Sequence, residues 1–108
     1  MINTLVTHKT LTSLGIGCIS AVFNNKKVVR VNFGLDDAKK CKIESLNIID
    51  TSQCKTVTFN EFRNRILSDK STLNQVIIGN ELKEYVGIGW ITLRVVTTDD
   101  LTKYPRAI

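Results

Sequence analysis

Proline, histidine and tryptophan each occur once in this sequence, and no apolar run approaches the ~18 consecutive residues of a membrane span. No membrane partner is therefore expected. The opening residues Met1 to Lys9 lack the charged-then-apolar layout of a secretory signal, so a cytoplasmic location is expected. Cysteine is sparse and odd in number: Cys18, Cys41 and Cys54 include no Cys-x-x-Cys pair, which favours reduced thiols. A zinc site would have to gather all three around His8; buried roles as small hydrophobes account for them better. No metal and no cofactor is expected.

Catalytic signatures are equally scarce. The pairs Gly15-Ile16-Gly17 and Gly87-Ile88-Gly89 lack the third glycine of a dinucleotide fingerprint, and no Walker lysine follows either. A bend between strands explains them better than a phosphate cradle. The two segments share a Gly-Ile-Gly-x-Ile-hydroxyl pattern, too short to establish a repeat. His8 belongs to no nucleophile motif and is expected to pack or hydrogen-bond. Glu81 and Glu84 are expected on a short polar turn and read as solvated charge rather than an acid and base pair. The chain is not expected to be an enzyme.

The 108 residues, 43% of them hydrophobic, suit one compact domain or a mini-domain with an appendage, burying roughly 60–70% of the unfolded surface. Leu5-Val6-Thr7-His8 reads as a first strand, and the glycine pair bends the chain into Cys18 to Phe23. The polar cluster Asn24-Asn25-Lys26-Lys27 has hairpin-turn character. In Val28 to Phe33, residues Val29, Val31 and Phe33 share one face and Arg30 and Asn32 the other, because side chains alternate along a strand. Lys40 to Glu44 reads as a fourth strand and Ile48-Ile49 as a fifth that closes against Leu5 and Val6. Closure removes sheet edges, so a small barrel is the economical solution.

Beyond Asp50 the pattern changes. Thr58 and Glu61 match a capping box opening a helix over Phe59 to Leu67, with Phe59, Phe62 and Ile66 at helical spacing and Ser68 to Ser71 ending it. Gln75 to Ile78, Tyr85-Val86 and Gly89 to Val96 read as strands, and Thr98-Asp99-Asp100 as the cap of a last turn stopped by Pro105. The fold class expected is mostly β with one or two helices: a small SH3-like barrel over 1–50, followed by an α+β region over 51–108. No low-complexity linker separates them, which predicts that they pack together.

Val6-Thr7-His8-Lys9, Gly15-Ile16-Gly17-Cys18-Ile19, the turn at Asn24-Asn25 and Val29 to Gly34 together resemble the Tudor-like barrel that ends UvrD/PcrA-type helicases. They are also similar to KOW modules. The resemblance covers about residues 4–50; Thr10 to Leu14 makes the first loop longer than in that family. It implies a docking module that contacts RNA polymerase, nucleic acid or ribosomal elements without a catalytic residue. A short chain with such a barrel also resembles phage-encoded, MotB-like modulators of host transcription, which implies a host cytoplasmic location.

The net charge of +5 is concentrated in Lys26, Lys27, Arg30, Lys39, Lys40 and Lys42, opposed locally only by Asp36 and Asp37. Convergence of these cations on one surface would neutralise phosphates, making nucleic acid, duplex DNA above all, the expected partner. An ordinary solvated lysine surface is the competing account. No aromatic is interleaved among them, so stacking on single-stranded bases is not expected. Trp90 and Arg94 form a second candidate site, for protein interaction with RNA polymerase or another host protein. That reading needs Ile91, Leu93 and Val95 to face inward; Trp90 packing beneath the helix that carries Phe59 and Phe62 is the alternative.

Overall fold

The fold is given by a computed structural model that describes residues 1–34, 37–68 and 74–108, the side chains of 65–68 excepted. Asp36, Asp69, Lys70, Ser71 and the Ile66 side chain therefore lie outside the described residues. The protein is mostly β; among the described residues there are two five-stranded sheets and two α-helices. It divides into two compact units, Met1–Thr51 and Ser52–Ile108.

In the N-terminal unit, β1 (Leu5–His8), β2 (Gly17–Phe23), β3 (Val28–Asn32) and β4 (Ala38–Lys42) form an antiparallel meander. β5 (Leu46–Ile48) returns to pair with β1, Val6 facing Ile48 and His8 facing Leu46, so the sheet order is β4-β3-β2-β1-β5. The fourth strand ends earlier than the sequence pattern suggests. Ile43, Glu44 and Ser45 form a 3-10 turn that swings the chain from β4 into β5. Val29, Val31 and Phe33 are buried as alternation requires, in one core with Val6, Ile19 and Leu46, while Arg30 is exposed on the opposite face. The long first loop holds a further 3-10 turn at Thr12–Leu14.

The two glycines of the first bend do different jobs. Gly15 has φ +72, a conformation that costs a side chain about 1–2 kcal/mol. Gly17 instead lies flat against the core: a Cβ there would stand 2.4 Å from Val31 Cγ1 and 2.8 Å from the Phe33 ring. In the second pair Gly87 repeats the positive φ, whereas Gly89 meets nothing. The echo is thus one of backbone bend alone. Gly17→Ala is expected to lower stability by about 2 kcal/mol through overpacking, and Gly89→Ala by under ~0.5 kcal/mol, as for an ordinary surface position. Urea denaturation of both variants checks the contrast.

In the C-terminal unit β6 (Thr56–Val57) leads into α1 (Phe59–Ser68), followed by the antiparallel run β7 (Gln75–Ile78), β8 (Glu81–Tyr85) and β9 (Trp90–Val95). A short helix, α2 (Asp100–Lys103), precedes β10 (Arg106–Ala107), which inserts parallel to both β6 and β7, giving the order β6-β10-β7-β8-β9. The capping box is formed in both halves: Glu61 N donates to Thr58 Oγ1 at 3.1 Å, and Thr58 N to Glu61 Oε2 at 3.4 Å. These bonds satisfy two otherwise orphaned N–H groups at the start of α1. Phe62 is buried with Val57, Val76 and Ala107, but Phe59 is half-exposed. Among the described residues no helix is long and apolar enough to cross a membrane.

Candidate nucleic-acid interface

Antiparallel registration sorts the basic residues by face. Arg30 pairs with Lys40 and with Ala21, while Val28 pairs with Lys42 and with Phe23. Paired residues project to the same side, and this is the side opposite Val29 and Val31. The outer face of β2, β3 and β4 therefore carries two rows, Phe23-Val28-Lys42 and Ala21-Arg30-Lys40. Arg30, Lys40 and Lys42 are all exposed, and among the described residues none has an ion-pair partner. Lys39 goes the other way. It pairs with the buried Val31 and sits 3.4 Å from Asp37 Oδ1, both side chains about half-exposed, which makes a weak surface pair.

Lys26 and Lys27 occupy the tip of the β2–β3 hairpin. Asn24, Asn25 and Lys26 have φ values of 49°, 55° and 71°, a left-handed run that asparagine accepts more readily than lysine. The tip is anchored by Lys27 N donating to Asn24 O at 3.1 Å and Ile43 N to Lys27 O at 3.0 Å. Beside it lies an open groove of about 500 Å³ lined by Asn24, Lys27, Val28, Lys42, Ile43 and Glu44. Five of the six basic residues singled out in the sequence thus fall on one face and its adjoining tip; Lys39 does not.

Sequence spacing missed Phe23. The residue is 37% exposed and lies on the outer face, with Lys40 Nζ 5.1 Å from the ring centroid, a cation–π contact. Cross-strand pairing brings an aromatic among the lysines although none stands among them in the chain. Alternation of Val22, which packs on the core, with Phe23 was the available signal.

The second candidate pair is differently engaged. Trp90 stacks on Phe62 of α1, centroids 5.5 Å apart, and meets Tyr85 edge-on at 5.3 Å, leaving 37% of it exposed. A bulge between Leu82 and Lys83 shifts the register of β9, and Ile91 and Leu93 are exposed rather than inward. Arg94 grips Asp100 with both terminal guanidinium nitrogens, Nη1 donating to Oδ2 and Nη2 to Oδ1 at 2.7 Å. Thr97 adds its N–H at 2.7 Å and its hydroxyl at 3.1 Å to Asp100 Oδ2. These contacts, Arg94 foremost, hold the buried Asp100 carboxyl well below the usual carboxylate range against the opposing effect of burial.

Because the folded pKa is depressed, the stability this carboxylate contributes is present above the unfolded value near pH 4 and is lost as pH falls below it. Asp100→Ala is expected to cost about 2 kcal/mol at neutral pH, as for hydrogen bonds to a charged group. The gap between wild type and variant should narrow between about pH 4 and pH 2, as measured by urea midpoints across that range.

His8 has a local structural part. Its Nδ1 accepts from Thr10 N at 3.2 Å and Leu11 N at 3.0 Å, pinning the first loop. All three cysteines are free thiols, Cys18 buried and the others partly so; burial raises the Cys41 and Cys54 pKa values. Among the described residues no three His, Cys, Asp or Glu side chains cluster as a metal site would require. No protein-family model, curated protein or solved structure matches the chain.

Proposed function

We propose that the protein is a nucleic-acid-associated regulator whose N-terminal unit holds DNA through phosphate contacts with little sequence specificity. One observation carries the reading. Arg30 and Lys40 are direct cross-strand partners with Lys42 alongside, and like charges placed opposite each other destabilise a sheet. A face selected only for solubility mixes its signs, whereas a polyanion turns this repulsion into attraction. The return of β5 to β1 is the pairing that the reading as a small SH3-like barrel calls for. The separate resemblance to phage-encoded modulators of host transcription implies that the protein works in a host cytoplasm, without catalysis.

The test is a titration of DNA, duplex and single-stranded, at about 50 and 200 mM salt, where several phosphate contacts change affinity by orders of magnitude. Binding that is absent at low salt, or indifferent to salt, sinks the proposal. Lys40→Glu places a carboxylate opposite Arg30; it should raise stability by up to ~1 kcal/mol while weakening DNA binding at least ten-fold. Lys39→Ser, on the other face, should leave binding near wild type.

A second reading, a module docking on RNA polymerase or another host complex, draws on a different surface. β9 is an edge strand with Trp90, Ile91 and Leu93 exposed, and Ile88 at the adjoining hairpin tip is 99% exposed. Such an edge can accept a strand from another protein. With Arg94 committed to Asp100, Trp90 and its apolar neighbours would carry the contact. Capture of a host protein that survives nuclease treatment and is lost in a folded Trp90→Ala variant would favour this reading; unfolding of that variant would show Trp90 to be structural.

A further inference from the structure

The DNA reading leaves open which form of the polymer the outer face accepts, and Phe23 bears on that choice. Resting on that reading, we infer that the face of β2, β3 and β4 takes an unpaired strand, with one base stacked on Phe23 and its flanking phosphates on Arg30, Lys40 and Lys42. Phe23 ends β2 at the head of the row Phe23-Val28-Lys42, beside the row that ends in Lys40. An aromatic ring set against cations in this way is the arrangement used to hold single strands: the ring meets the face of a base and the cations track the backbone.

A duplex cannot use it, because its base faces are covered by their neighbours in the stack. Against a duplex backbone the exposed ring would desolvate phosphates without compensating them. Lys40 Nζ lies over the ring, 5.1 Å from its centroid, so a stacking base would displace the ammonium from the ring face and take it up on its own phosphate. The groove beside the tip adjoins the same surface, with Val28 and Ile43 as apolar lining, Asn24 as a polar one, and the cations Lys27 and Lys42 set against the single carboxylate of Glu44. It offers the next nucleotide a place at the open end of the rows. Any polymer with free base faces satisfies this chemistry, so the probes include both sugars.

The experiment compares oligo(dT), oligo(U) and a DNA duplex of equal length at one low salt concentration, using wild type, Phe23→Leu and Phe23→Trp. Leucine keeps the apolar cover of the strand end but removes the ring; tryptophan keeps a stacking surface. At least one single strand should bind about ten-fold or more tightly than duplex. Phe23→Leu should lose that preference with duplex binding unchanged, and Phe23→Trp should retain it. Equal or tighter binding of duplex by wild type overturns the inference, as does an undiminished preference in Phe23→Leu, while leaving phosphate binding intact. Failure of every probe to bind overturns the DNA reading and the inference with it. Thermal melting identifies a variant that fails to fold, in which case the strand preference of wild type decides.

Discussion

The burial of one side of β3 is the constraint on which the candidate site depends. Val29 and Val31 are fully covered and Phe33 nearly so, and the close approach of Gly17 to Val31 and Phe33 leaves no room for a shift. Sliding the strand by one residue would bring Arg30 into the core and Val31 to the surface. The energetic penalty of burying an uncompensated guanidinium therefore holds the register, and the register holds Arg30 opposite Lys40. Packing on one side of the sheet sets charge geometry on the other.

That coupling also explains the unequal standing of the basic residues. Lys39 and Lys40 are neighbours in sequence and both exposed, yet β4 directs them to opposite faces. Lys39 meets Asp37 and Lys40 meets an aromatic ring. Two residues at the hairpin tip, Lys26 and Lys27, owe their position to the left-handed run that begins at Asn24. Charge counted along the chain overstates a shared role that pairing divides.

Much of the architecture was legible because short-range rules were obeyed. Alternation at Val29, Val31 and Phe33, the reciprocal bonds of Thr58 and Glu61, and the bend at Gly15 each need only a few neighbouring residues. What escaped depends on pairing between distant segments. β10 is two residues long, too short for any periodicity, and gains its place only by lying between β6 and β7. The bulge opposite Leu82 reverses the expected facing of Ile91 and Leu93. Phe23 joins the lysines only because β2, β3 and β4 align, and Arg94 meets Asp100 only after the chain turns back at Thr97.

The pairing of β1 with β5 has a mechanical consequence. Their antiparallel register sets the start of β1 beside the end of β5, with Ile49 N donating to Leu5 O at 2.9 Å. Tension drawn through the backbone at these two points would load the Leu5 and Ile49 bond first and then Val6 against Ile48, one rung after another, instead of shearing the ladder as a whole. The unit is thus built to peel from one corner, two strands away from β3 and its cationic rows. The face carrying Arg30 and Lys40 would be among the last parts to feel a pull along the chain.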